Sequence, residues 1–221
     1  RQYISDKYNY ELLINDYENR DKSQPYFAFN VTMQNHGGYA TNSNFQEEIC
    51  VVDENGNRSN MPADLNTYLS LVYESDKALQ ELIEYCAQQD DPIVVLMFGD
   101  HQPNVAQYLN TDNTIQRNIT PFLIWANYDI PEENIEMLSV NYLGSYLLKT
   151  IGMELPAYHQ YLLELSKTIP VVLPQGYYDT HGEFYTTEDK SPYDKLLLEH
   201  KYVCYNFLLD TKHRNNTLYL N

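Results

Sequence analysis

The sequence predicts an α/β fold, a largely parallel sheet flanked by helices, with a small antiparallel appendage at its C-terminal end. Three short apolar runs, Pro25–Met33 (PYFAFNVTM), Pro92–Phe98 (PIVVLMF) and Pro121–Ala126 (PFLIWA), read as strands. Amphipathic helical stripes lie between and after them. Beyond Pro170 the chain changes to turn residues and β-formers.

The runs are nearly continuous in apolar residues, as strands covered by helices on both faces require, so parallel pairing is expected. Between the first two, Leu65, Leu69, Val72, Leu79, Leu82, Ile83 and Cys86 recur at three- and four-residue steps, which predicts a helix from about Ala63 to Gln88. Pro62 stands where a first-turn proline is tolerated. A further helix is expected to start at Pro131, Glu132 and Glu133. It carries the stripe Ile135, Leu138, Tyr142, Leu143, Tyr146 and Leu147 and ends near Lys149 and Gly152. Strand, helix, strand, strand, helix is an α/β order. After VVLPQGYYDTHGEFYTTEDKSP, the segment Tyr193 to Leu209 reads as helical. The expected organisation is a main unit over 1–169 with an appendage over 170–221.

At 221 residues and 43% hydrophobic the chain is long enough to bury a core. Its formal charge of −17, from 31 acidic and 14 basic residues, repels nucleic acid and anionic surfaces and attracts cations. Nucleic-acid partners are excluded on this ground. No apolar run reaches the roughly 18 residues of a membrane span, and RQYISDKYNYELL has neither an initiator Met nor a signal-peptide core, so the chain reads as part of something larger. Cys50, Cys86 and Cys204 are too scattered for a zinc knuckle or disulfide framework. The 22 tyrosines read as caps on a modest core.

In open α/β sheets, ligands collect where loops leave the carboxyl ends of strands. Two runs end in histidine-bearing loops. In GDHQP, Asp100 and His101 place a carboxylate and an imidazole on consecutive residues, a donor pair suited to zinc or manganese. Adjacency alone reads equally as a capped turn. In QNHGG, His36 is flanked by an amide and two glycines, which lets backbone approach a ligand. That histidine either donates to an anionic oxygen or simply bonds its own loop. His159, His181, His200 and His213 read as surface or structural, Thr32 as strand packing, and Asp76 as a core carboxylate. The pairs Glu47-Glu48, Asp90-Asp91 and Glu132-Glu133 read as solvated faces or helix starts.

Taken in order, VTMQNHGGY, YLSLVYESDKALQELIEY, IVVLMFGDHQP and TPFLIWAN resemble the C-terminal half of the sulfatase-like domain of lipoteichoic acid synthases and related phosphoglycerol transferases, within the alkaline phosphatase superfamily. The resemblance covers about Ile4 to Leu155, and GDHQP after an apolar strand is its most specific element. It implies a divalent metal, commonly manganese with magnesium or zinc as alternatives, held in part by Asp100 and His101. It implies that His36 contacts the phosphoglycerol group. The family's threonine nucleophile and glutamate ligand precede these motifs, so no catalytic nucleophile is expected in this chain. The implied reaction moves phosphoglycerol from an anionic glycerophospholipid to a cell-surface polymer or glycan, at the extracellular face of a bacterial membrane. A hydrolytic sulfatase or phosphodiesterase, and a non-catalytic wall-binding module, are the rival readings.

Overall fold

The computed structural model describes residues 3–39, 48–109 and 118–219. By its contacts the chain forms two compact units, Arg1–Tyr128 and Asp129–Asn221. The change of composition at 169/170 falls inside the second. Among the described residues no helix is long and apolar enough to cross a membrane.

In the first unit, helix α1 (Asp6–Glu18) starts at Ser5, whose side chain accepts from the Tyr8 N–H, with Asp6 in the first turn. Its short apolar cluster, Leu12 to Ile14, has no regular stripe, which is why periodicity did not reveal it. It packs on α2 (Ala63–Ala87), the helix expected from periodicity. α2 buries Leu65, Leu71, Ala78, Leu82 and Cys86, while Val72 is exposed. Asn66 and Ser70 are buried as well. Ser70 Oγ accepts from the Glu48 and Ile49 N–H groups, and Asn66 Oδ1 accepts from Val51 N–H, so the helix tethers an incoming loop. Glu47 lies outside the described residues.

Strands β1 (Val94–Phe98) and β2 (Phe122–Ala126) pair from Val94↔Ala126 to Phe98↔Phe122. Both were expected, but the pairing is antiparallel, which corrects the expectation of a parallel neighbour. Parallel neighbours need a crossover, usually a full α-helix, and the described part of this link carries a 3-10 helix, Asn104–Leu109. A second correction concerns Pro25–Met33. The segment is not a strand here: residues 25–32 make no backbone hydrogen bond among the described residues, and Phe27, Phe29 and Val31 are exposed. An apolar extended run becomes a strand only when a neighbour takes up its backbone groups.

In the second unit, α3 (Val140–Thr150) begins later than expected. Ser139 Oγ accepts from Val172 N–H at 2.6 Å and faces Val172 O at 3.2 Å, which ties residue 139 to strand β3 and leaves 131–138 irregular. Glu133 instead receives the Tyr146 hydroxyl. α4 (Ala157–Ser166) follows Pro156. Strands β3 (Val171–Leu173), β4 (Gly176–Tyr178) and β5 (Phe184–Thr186) form an antiparallel sheet in sequence order, as expected of the C-terminal part. α5 (Asp194–Leu208) and α6 (Asn216–Tyr219) complete the unit. Its core is Tyr142, Leu162, Leu165, Ile169 and Tyr177, so tyrosine supplies packing as well as surface.

Candidate functional site

The first candidate loop leaves β1 through Gly99. A Cβ there would sit 2.9 Å from Thr120 Cβ, so only glycine lets the end of β1 lie against the entry to β2. Gly99 N–H donates to Pro121 O at 3.1 Å, and Thr120 Oγ1 donates back to Gly99 O at 2.7 Å. The chain is therefore held on both sides of the point where Asp100 and His101 emerge.

Asp100 Oδ1 accepts from the His101 N–H at 2.8 Å, which turns Oδ2 toward the imidazole. His101 Nδ1 lies 2.9 Å from Gln102 O. A carbonyl only accepts, so Nδ1 is the donor there and Nε2 is the ring nitrogen left to face a ligand. Gln102 is itself fixed through Nε2 to Ile119 O at 2.8 Å. The two uncommitted donor atoms, Asp100 Oδ2 and His101 Nε2, stand 3.5 Å apart on side chains 83% and 69% exposed. Two ligands bound at about 2.1 Å in a tetrahedral shell lie about 3.4 Å apart, so the donor set fits one divalent ion. Among the described residues no group of three or more His, Cys, Asp or Glu side chains gathers in this way.

The second candidate loop is pinned by a buried polar cluster that sequence reading missed. Gln34, 6% exposed, accepts from Asp6 N–H at 2.9 Å and donates to Leu71 O at 2.9 Å and Ser75 Oγ at 3.1 Å. Asn35 Nδ2 also donates to Ser75 Oγ at 2.8 Å, and that hydroxyl donates to Asp6 Oδ2 at 2.5 Å. Ser75 thus uses its one donor and both lone pairs. Tyr39 OH donates to Asn35 O at 2.6 Å. Between these anchors His36 is exposed, with the Tyr3 ring edge-on at 5.2 Å. A serine mid-helix carries no motif, and only its place four residues from Leu71, on the face toward α1, hints at the role.

A cavity of about 310 Å³ lies between the His36 loop, the 3-10 helix that follows the Asp100 loop, and the start of α2. Gly37, Gly38 and Tyr39 line it from the His36 loop, Asn104, Val105 and Gln107 from the 3-10 helix after His101, and Asp64 from the first turn of α2. Gly38 has φ +98°, a left-handed conformation that suits glycine. Tyr39, Leu65, Leu71 and Val105 pack together, so the end of the His36 loop, α2 and the 3-10 helix share a core. His36, Asp100 and His101 are not themselves in the lining.

Other residues read from the sequence fall elsewhere. Thr32 and Asp76 are exposed, which corrects their assignment to strand packing and to the core. The remaining histidines belong to the second unit. His159 Nδ1 meets Ser145 Oγ at 2.9 Å, and His200 lies between Tyr161 OH at 3.2 Å and Cys204 Sγ at 3.4 Å. Burial holds both imidazoles below the ordinary histidine range.

The chain belongs to the sulfatase family, whose model matches residues 2–153. Among curated proteins it is 29% identical over 153 residues to a putative cyclic beta-1,2-glucan modification protein of Rhizobium meliloti (strain 1021), covering 62% of this chain and 24% of that one. Among solved structures it is similar to the Streptococcus pyogenes phosphoglycerol transferase GacH in complex with sn-glycerol-1-phosphate. There the TM-score is 0.68 and the identity 22%, over 95% of this chain and 52% of that one. The chain therefore spans about a quarter to a half of the proteins it matches. The sulfatase-like resemblance read from its motifs is shown, and this superfamily is generally metal-dependent.

Proposed function

We propose that this chain is part of a metal-dependent phosphoglycerol transferase resembling lipoteichoic acid synthases. It would move phosphoglycerol from an anionic glycerophospholipid to a glycan or polymer hydroxyl at the outer face of a bacterial membrane. The observation that carries the reading is the pair Asp100 Oδ2 and His101 Nε2, 3.5 Å apart at the end of a sulfatase-family strand. The similarity to GacH supports phosphoglycerol as the group moved, and the glucan named for the rhizobial relative supports a glycan as acceptor.

Asp100 and His101 would hold a divalent ion, manganese by the family resemblance, with the Gln102 carbonyl keeping His101 in the ligating tautomer. When bound, such an ion stabilises negative charge on the attacking oxygen and on the phosphoryl oxygens. His36, exposed on a pinned loop, would contact a phosphoglycerol oxygen and pass a proton. The threonine that attacks phosphorus, releasing diacylglycerol, and the glutamate that joins the metal shell belong by resemblance to the part of the domain without a counterpart here. On this reading residues 1–221 alone do not turn over.

Manganese titration of the chain, followed by electron paramagnetic resonance, tests the ligand assignment. Weak binding abolished by Asp100→Ala and by His101→Ala is expected, and binding indifferent to both would refute it. Diacylglycerol release from phosphatidylglycerol vesicles tests the reaction. Steady release by the chain alone would mean that a nucleophile lies within it. Release that needs the rest of the domain but never labels a glycan would favour the hydrolytic reading.

A further inference from the structure

The cavity between the His36 loop, the 3-10 helix and the start of α2 takes no part in the metal chemistry, yet hydrogen-bonding groups in its lining stand unused. Asp64 Oδ1 is buried and has no hydrogen-bond partner among the described residues. Buried polar atoms in folded proteins are nearly always paired, so a buried carboxylate oxygen beside a cavity is an acceptor open to a ligand that brings a donor. The Gly37 and Gly38 N–H groups and the side-chain amides of Asn104 and Gln107 likewise make no hydrogen bond among the described residues. Tyr39 and Val105, both buried, give the cavity an apolar wall. No lysine, arginine or histidine is among the described lining residues.

We infer that this cavity is a subsite for one neutral sugar residue of the acceptor glycan, with Asp64 Oδ1 taking a hydrogen bond from a sugar hydroxyl. Three properties of the lining select that class. A carboxylate with no cation facing it from the described lining repels phosphate and sulfate, so the ligand is not an anion. A hydroxyl gives one hydrogen bond and takes two, so a ligand with several of them can meet the carboxylate, the two backbone donors and the two amides together. A volume of about 310 Å³ is at the lower end of ligand pockets, which suits a single small ring, and Tyr39 with Val105 can pack against its C–H face. A metal ion is a poorer occupant, because Asp64 is the single carboxylate among the described lining residues. Gly37 adjoins His36 in the chain, so the loop that would meet phosphoglycerol would also hold the acceptor. That this sugar is the acceptor rests on the proposed transfer, whereas its binding does not.

Titrating the isotopically labelled chain with methyl β-D-glucoside tests the inference by nuclear magnetic resonance, without metal or turnover. Gly37 and Gly38 are two of eight glycines, so their amide signals can be followed individually. Both should shift in a saturable way, and an excess of sulfate should not displace the sugar. Asp64→Ala should weaken binding by about 10-fold or more, with Asp64→Asn between it and the parent. Gln107 is exposed, so Gln107→Ala should leave the fold intact and weaken binding by a smaller factor. No saturable shift, displacement by sulfate, or binding indifferent to both Asp64→Ala and Gln107→Ala would overturn the inference. In the full domain, Asp64→Ala should raise KM for a glycan acceptor by a similar factor while manganese binding is unchanged. Glycan labelling whose acceptor KM ignores Asp64→Ala would sink the subsite and leave the transferase reading intact. Sugar binding by a full domain that never labels a glycan would remove the transfer and leave a sugar-binding cavity.

Discussion

Replacing Gln34 with leucine keeps the side-chain size and removes the amide. The Asp6 N–H loses a buried acceptor, which costs about 1–3 kcal/mol. Leu71 O and Ser75 Oγ each lose one donor but keep other partners, adding about 0.5–1 kcal/mol apiece. The buried leucine recovers about 1 kcal/mol of transfer energy, so the expected net loss is about 2–3 kcal/mol. Trp125 is the single tryptophan and lies in β2, so its fluorescence during urea unfolding reports the first unit selectively. With a urea slope of about 2 kcal/mol/M, the midpoint should fall by about 1–1.5 M. Ser75→Ala should cost a similar amount. Because the two side chains share a hydrogen bond, the double variant should fall short of the sum by about 1 kcal/mol. A midpoint within about 0.2 M of the parent, or strict additivity, would refute the view that this cluster anchors the His36 loop.

Gly99→Ala forces Cβ against Thr120 and should destabilise the first unit by about 1–3 kcal/mol. It should also weaken manganese binding in the resonance titration, although no ligand is changed. In Gly176→Ala the new Cβ would lie 2.1 Å from Tyr185 O in the paired strand, so the second unit should lose about 3 kcal/mol, seen as a tyrosine dichroism transition that moves while the Trp125 fluorescence transition does not. Burial lowers the pKa values of His159 and His200, so below the unfolded value of about 6.5 the unfolded chain takes up protons that the folded chain refuses. Stability of the second unit is therefore full above that pH and declines as pH falls through and below it. Thermal melts of His159→Gln and His200→Gln should show a shallower decline, and parallel curves would refute the assignment.

Much of the fold was legible because α2, β1 and β2 announce themselves by periodicity or by unbroken apolar runs. Residues 92–98 and 121–126 could be read as strands, but not their relative direction, since apolar content records burial on two faces and says nothing of polarity. Residues 25–33 carried the same apolar signal, yet a strand exists only with a partner for its backbone, and among the described residues nothing pairs with the backbone of 25–32. The start of α3 was misplaced because Pro131 and two glutamates look like a helix start, whereas Ser139 is held instead by β3. In the site, His36, Asp100 and His101 were legible as chemistry-bearing types at strand ends. Gln34, Asn35 and Ser75, which hold the first loop, were not, because they act through a contact that spans about forty residues of sequence.

The pair Asp100 and His101 bears on metal binding through what is fixed before an ion arrives. Side chains as exposed as these two gain little from each other without an ion, because water screens the attraction between exposed groups. Their arrangement is nevertheless set by three local hydrogen bonds, two within residues 100–102 and one from Gln102 to Ile119, so the donors are oriented before any ion arrives. Such a half-shell binds weakly, since most of the ion's coordination is left to water. Any group that completes the shell tightens metal binding by the same factor by which metal tightens the binding of that group. A preoriented but incomplete donor pair would then couple metal binding to whatever supplies the remaining ligands.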